Sequence, residues 1–289
     1  MQELYTKARA KINLALDILG KRNDGYHEIS TIMQTLTLHD EIYIQKVYKP
    51  NYLKLVANHS WLPTDERNLV YQAADYLKNK YAIDEGIFIE IYKIIPASAG
   101  MAGGSADAAA TLKGIRRLFD LPLTDDDLIK LGVKFGADVP FCIMGGMAHA
   151  TGIGEILQPL PKMPFCYIVV IKPPAIISTQ DVFADFNLSK VQKRPDMEKI
   201  LHYIHKQDIA GIAENMGNVL ESVTEKNHPI ITDIKDFLMQ QGALGAMMTG
   251  SGPTVFGIFS SKAKGQNAVN AAKTRYADIN EIFLTKPYK

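Results

Sequence analysis

Between Pro96 and Leu112 the chain reads PASAGMAGGSADAAATL, three glycines running directly into an alanine-rich stretch. The β-branched and aromatic run Ile87 to Lys93 ahead of it predicts a strand, and the alanines predict a helix. That is a strand, a glycine turn and a helix in succession, and the glycines of the turn permit positive φ and a close backbone approach. The helix start offers unpaired N–H groups and the positive end of its dipole, so an anion is the expected ligand, and a phosphate the most natural one. Taken in isolation, GMAGGSA is equally a tight turn before a packed helix. No Lys-Ser or Lys-Thr follows at P-loop spacing and GxGxxG is absent. A nucleotide here must therefore be held by backbone amides and Ser105, with positive charge supplied from elsewhere in the chain.

At 289 residues, 47% of them hydrophobic, the chain can bury a large core and is long enough for two ordinary domains. Charged residues make up 22%, are interspersed, and sum to +1, which leaves no footprint for nucleic acid or an anionic membrane. A small-molecule ligand is expected. Cys142 and Cys166 lie in apolar surroundings and suit buried hydrophobes better than a disulfide or zinc site. The apolar runs are far short of the ~20 residues a spanning helix needs. Asn13 and Asp17 interrupt the run behind the basic N-terminus, so a signal or transit peptide is not expected. A soluble, cytoplasmic protein is the expectation, with monomer and homodimer both open.

Ile12 to Ile18 alternates apolar residues with Asn13, Ala15 and Asp17, the period of a half-buried strand, which predicts solvent-facing Lys11 and Asn13. GKRNDGYH at Gly20 to His27 has hairpin-turn chemistry followed by two side chains able to stack and hydrogen-bond; a core-capping aromatic is the plainer reading. Strands are predicted at Glu28 to Leu36, Glu41 to Val47 and Tyr52 to Ala57, in an antiparallel N-terminal sheet. A helix is predicted over Asn68 to Asn79, and a capped one from Thr124 with its stop at Gly136. Asp138 in GADVPF reads as a helix cap, or, with a lysine partner, as a general base for a hydroxyl. Proline-rich Leu157 to Pro164 is the expected boundary, giving domains at 1–160 and 161–289. Beyond it, strands at Cys166 to Lys172, Gly245 to Met248, Thr254 to Phe259 and Ile282 to Thr285, with helices between, predict an α+β sandwich in which TGSGPT is a second glycine turn facing the first.

Three blocks, AKINLALDI at Ala10 to Ile18, PASAGMAGGSADAA at Pro96 to Ala109 and GSGPTVFGIF at Gly250 to Phe259, resemble in order and composition the three motifs of the galactokinase, homoserine kinase, mevalonate kinase and phosphomevalonate kinase (GHMP) superfamily. NDGYHEI at Asn23 to Ile29 and GADVPF at Gly136 to Phe141 are similar to its branch that acts on a cytidine-diphosphate-linked alcohol. The resemblance implies an α+β, two-domain GHMP kinase fold: a ribosomal-protein-S5-domain-2-like N-terminal domain, a ferredoxin-like C-terminal domain and a site in the groove between them. It implies transfer of the ATP γ-phosphoryl group to a hydroxyl of a small cytidine diphosphate substrate, with Mg²⁺.

Carried over motif by motif, the resemblance makes Asp138 the acceptor of the hydroxyl proton, with Lys11 keeping that carboxylate ionised and offsetting charge on the transferring group. The nucleotide falls to Pro96, Ala97, Ser98, Ala99, Gly100, Met101, Ala102, Gly103, Gly104, Ser105 and Ala106, with Asn68 reaching the adenine and Ser105 the metal or β-phosphate. Tyr26 and Phe183 would sandwich the cytosine, His27 would bond its edge, and Asn13 would lie near the reactive hydroxyl. Met101 stands where relatives commonly carry leucine, and Phe183 where some carry tyrosine; both swaps keep volume or stacking. A homoserine or mevalonate type of kinase is the first rival, set aside by Gly25-Tyr26-His27, since those substrates have no base to stack. A nucleotide-binding regulator without turnover is the second, disfavoured because Lys11 and Asp138 are both present.

Overall fold

The structure is a computed structural model that describes residues 2–191 and 193–288. Along the chain the elements are β1 Glu3–Lys21, β2 His27–Val47, β3 Leu53–Ala57, α1 Leu69–Lys80, β4 Gly86–Tyr92, α2 Gly103–Leu118, α3 Asp125–Gly132, α4 Val139–Met144, β5 Met147–Thr151, β6 Ile156–Pro159, β7 Tyr167–Ile171, α5 Thr179–Asp185, α6 Met197–His205, α7 Ile209–Asn215, β8 Gly217–Asn218, α8 Glu221–Asn227, α9 Ile230–Gln240, β9 Gly245–Met248, β10 Val255–Phe259, α10 Lys262–Arg275 and β11 Ile282–Thr285. They fall into two compact units. One holds Met1–Ala10, Leu38–Ile95 and Ala102–Gly145; the other holds Lys11–Thr37, Pro96–Met101 and Gly146–Lys289.

In the first unit, β4 pairs antiparallel with the second half of β2, from Glu41 opposite Tyr92 to Val47 opposite Gly86, and β3 lies parallel on its other side. Ile87, Ile89 and Ile91 are fully buried while Glu90 and Tyr92 are exposed, the alternation that a sheet covered on one face requires. Helices α1 and α2 supply the cover through Val70, Ala73, Leu77, Ala109, Leu112 and Ile115. Each such isoleucine or leucine contributes ~1.5–3 kcal/mol on burial. A Cβ at Gly114 would sit 2.5 Å from Ile44 Cδ1, so glycine lets α2 close onto the strand. Asn68 accepts from Val70 N–H at the head of α1, and Thr124 with Asp127 forms a complete capping box on α3.

In the second unit, β5 pairs antiparallel with the first half of β2, β6 extends it, and β8 lies parallel to β1 at Ala15 and Leu16. A separate four-stranded antiparallel sheet has the order β11-β7-β10-β9. Numbered by appearance, that order is 4-1-3-2 with helical crossovers, the ferredoxin-like arrangement. Ile168 to Ile171 and Val255 to Phe259 are buried throughout, with α9 and α10 contributing Ile234, Leu238, Ala268 and Ala272 to their core.

Four expectations are corrected. β2 is one 21-residue strand rather than two, and Asp40, in the stretch between the two expected strands, is completely buried and bonded to backbone amides. The N-terminal sheet is mixed, with parallel pairs β3·β4 and β1·β8. α3 ends at Gly132, four residues before Gly136. Lys11 and Asn13 are buried, since β1 is covered on both faces from Ala10 to Ile18. Among the described residues no helix is long and apolar enough to cross a membrane.

Candidate active site

The glycine-rich turn is built as its sequence demands. Ser98, Gly100 and Ala102 all have positive φ, and Ala102 occupies the N-cap of α2 in the left-handed region. Alanine has no side-chain oxygen, so the first turn of this 16-residue helix is left without a side-chain cap. The amides of Gly103, Gly104 and Ser105 have no N-cap side chain to accept from them, and Gly104 is exposed.

A buried lysine lies beneath the loop in the same unit. A Cβ on Gly103 would lie 2.9 Å from Lys93 Nζ, which places the ammonium directly beneath the first helical residue. Sequence reasoning treated Lys93 only as the end of a strand. A lysine closing an apolar run just ahead of the glycine turn was the available signal.

Asp138 stands at the N-cap of α4, yet its side chain makes no cap bond to that helix. It is half-buried. The segment that carries it adjoins α2: a Cβ on Gly136 would come 3.8 Å from Ser105 Oγ. The first unit therefore brings Ser105 and the Asp138 segment together at the helix start. Asn68, expected at the adenine, has its Oδ1 engaged by Val70 N–H at 2.9 Å and its Nδ2 donating to Pro63 O at 2.7 Å, so it shapes the loop ahead of α1.

The second unit gathers Lys11, Asn13 and the other glycine turn. Lys11 Nζ donates to Asn13 Oδ1 at 3.0 Å, and Lys11 N–H donates to Met101 O at 3.1 Å. Asn13 N–H donates to Thr249 Oγ1 at 3.0 Å, and Asn13 Nδ2 donates to Thr31 Oγ1 at 2.8 Å. Thr249 is completely buried, and Asn218 Nδ2 holds its turn by donating to the carbonyls of Met248 and Gly250 at 2.9 and 2.8 Å. The two glycine turns do meet: a Cβ on Gly250 would stand 2.9 Å from Gly100 O.

Also in this unit, the hairpin loop is tied by Gly25 and Tyr26 amides to Arg22 O and Asp24 Oδ1, and it leaves Tyr26 60% exposed, so that ring does not cap the core. His27, not Tyr26, lies on Phe183, at 5.3 Å between ring centroids and 40° between planes, with Phe186 edge-on at 6.5 Å. Burial first, and the nearby Lys21 charge second, lower the His27 pKa, which favours the neutral imidazole with both a donor and an acceptor nitrogen.

Residues 68–146 match the family described as GHMP kinases N terminal domain, and residues 200–278 match GHMP kinases C terminal. The chain is 49% identical over 259 residues to 4-diphosphocytidyl-2-C-methyl-D-erythritol kinase of Lachnospira eligens, covering 90% of each chain. It belongs to that family of GHMP kinases. The Caldicellulosiruptor bescii member is 47% identical over 96% of each chain. Among solved structures, a 4-(cytidine 5'-diphospho)-2C-methyl-D-erythritol kinase superposes with a TM-score of 0.83 at 27% identity, over 99% of this chain and 100% of that one. A homoserine kinase from Cytophaga hutchinsonii, at TM-score 0.79 and 21% identity over 98% and 93%, shares the fold.

Among the described residues no three acidic, His or Cys side chains converge as ligands. Asp40 and Asp107 are buried against Lys93, and Ser105 offers one neutral hydroxyl. Mg²⁺ usually takes one or two carboxylates besides phosphate oxygens.

Proposed function

We propose that the protein transfers the γ-phosphoryl group of ATP to the 2-hydroxyl of 4-diphosphocytidyl-2-C-methyl-D-erythritol, giving the 2-phosphate and ADP, a step in isoprenoid precursor biosynthesis. The observation that carries the reading is the head of α2: uncapped amides, an ammonium beneath them, and beside them the segment of a carboxylate that its own helix does not use. The named relatives, at 47–49% identity over at least nine-tenths of each chain, support the same acceptor.

In this reading the amides of residues 103–105 and the loop 96–102 hold the triphosphate. Asp138 takes the proton from the acceptor hydroxyl as its oxygen forms the bond to the γ-phosphorus and the bond from that phosphorus to the β-phosphate oxygen breaks, releasing ADP. Positioning and charge stabilisation carry most of the rate in such transfers. Lys11, oriented by Asn13, offsets charge on the transferring group. His27 and Phe183 hold the cytosine, with Tyr26 as an exposed ring able to close on it. Magnesium would arrive on the nucleotide, and no step is assigned to it. Residues 1–160 are proposed as the ATP-binding domain and 161–289 as the C-terminal GHMP domain, a division supported by family matches on either side of residue 160. A cytoplasmic location fits a phosphorylated, membrane-impermeant substrate pair.

The test is ADP release with the cytidylyl acceptor, homoserine and mevalonate offered separately. Turnover with the cytidylyl acceptor alone is expected; turnover with either of the others at equal or greater kcat/KM would overturn the assignment.

A further inference from the structure

Beneath the phosphate-binding turn the ammonium of Lys93 sits in a buried cluster whose two carboxyls have no part in the proposed chemistry. Lys93 Nζ donates to Asp40 Oδ2 at 2.5 Å and to Asp107 Oδ2 at 2.6 Å, and all three side chains are at least nine-tenths buried. Asp40 Oδ1 accepts from Ile94 N–H and Ile95 N–H at 2.5 and 2.7 Å, the residues that lead from β4 into the glycine turn. Asp107 is the fifth residue of α2, and its Oδ1 is buried with no hydrogen-bond partner. One carboxyl thus ties the strand exit, the other belongs to the helix, and the ammonium joins them under Gly103.

Two carboxyls and one ammonium cannot all be charged without leaving a net negative charge at the place where the fold offers its amides to an anion. We propose that Asp40 and Asp107 are positioning residues that act on the nucleotide's phosphates through Lys93, as a cluster whose net charge sets how tightly the turn above it holds anions. The inference rests on the nucleotide-binding half of the function proposed above.

The electrostatics agree with the geometry. Burial, and secondarily the Asp40 charge, outweigh Lys93 and push the Asp107 carboxyl up to about 8. Burial alone would lower the Lys93 ammonium, but the charges of Asp107 and Asp40 overcome it and raise it. These are the charges acting on Asp107. Of the elements packed around it, α4 carries no charged residue, Lys78 of α1 is taken by the carbonyls of Ile83 and Glu85, and Lys113 of α2 donates to Ile143 O. With its pKa raised, Asp107 holds its proton well past the ordinary carboxylate range, and the cluster gains one negative charge when that proton leaves. At pH 9 the cluster carries that charge.

The experiment is calorimetric titration of the non-hydrolysable ATP analogue AMPPNP into wild type, Asp107→Asn and Asp40→Asn at pH 7 and 9, with thermal unfolding recorded for each. Asp107→Asn removes the titrating group. Asp40→Asn removes one of the two carboxyl charges, so that at pH 9 an ionised Asp107 and the ammonium leave the cluster neutral. The nucleotide's own titration is common to all three proteins. At pH 9 both variants are expected to bind about tenfold more tightly than wild type, the size of one unit charge acting over roughly 10 Å at an effective dielectric near 20. A role confined to holding the fold together gives no gain of affinity from breaking a buried ion pair. Variants that bind no more tightly than wild type at pH 9 overturn the inference, and should Asp40→Asn not fold, Asp107→Asn decides alone. Because AMPPNP binding needs no acceptor, an error in the acceptor assignment shows only in the ADP-release assay.

Discussion

The backbone of Gly250 abuts that of Gly100 so closely that a methyl group on residue 250 would stand 2.9 Å from the carbonyl oxygen of residue 100. Gly100 has still less room against Thr249 O, and both glycines have positive φ. Two turns 150 positions apart in sequence are fitted backbone to backbone. Gly100→Ala should therefore cost ~1–3 kcal/mol of stability through strain and overpacking. Because Ser98 to Ala102 must shift to admit the methyl group, KM for ATP should also rise. Urea unfolding and steady-state kinetics check both effects; a variant with unaltered ATP KM would show that the contact serves the fold alone.

Asp138→Asn keeps the shape of the α4 head and forfeits no cap bond, since the side chain makes none to that helix. Its kcat should fall by ~10²–10⁴, the range for loss of a general base. Both KM values should stay close to those of wild type. Wild-type turnover would remove the residue from the proton-accepting role.

Thr249→Val conserves volume but deletes the hydroxyl that accepts from Asn13 N–H, leaving a buried donor unsatisfied at a cost of ~1–3 kcal/mol. Asn13 also orients Lys11, so kcat should drop more than the loss of stability accounts for. Thr249→Ser retains the hydroxyl and should restore most of the rate, which separates the bond from the packing.

His27 titrates below its ordinary value of 6.5 because it is partly desolvated and near Lys21, so it is neutral at pH 7. If the neutral ring bonds the cytosine edge, KM for the cytidylyl acceptor should hold steady as pH falls from 8 to about 6.5 and climb below it, with KM for ATP not following. His27→Ala should raise the acceptor KM roughly tenfold, as loss of one hydrogen bond worth about 1.4 kcal/mol does. Equal increases for acceptor and ATP would count against the cytosine assignment.

Asp107 also makes a stability prediction. A carboxyl raised to about 8 in the folded protein binds a proton that the unfolded chain, with its ordinary value of 3.8, has already released. Stability is therefore lost progressively as pH rises from about 4 to about 8, and the loss persists above that. Asp107→Asn escapes it and should gain on wild type between pH 5 and pH 9, read by urea midpoints at the two values. A constant difference would show that the carboxyl does not titrate in this window.

Much of this was legible in the sequence because local rules coincide with the tertiary result. The glycine-to-alanine passage specified an uncapped helix start, Thr124 and Asp127 specified a capping box, and Asn68 lies at a helix head where its spacing put it. Lys11 and Asn13 were misjudged because alternation in β1 speaks for a one-sided strand, and only packing from distant segments such as Thr249 and Thr31 buries the second face. Asp40 was unreadable for a similar reason. Its meaning lies in amides 54 and 55 positions away and an ammonium 53 positions away, and no periodicity records partners at that separation.

β1 starts in one compact unit and ends in the other, and β2 makes the same passage in reverse. Neither unit therefore corresponds to one uninterrupted stretch of gene. A cut anywhere inside β1 or β2 would therefore divide a strand that serves both units, and each strand carries the continuity of the chain from one unit's packing into the other's.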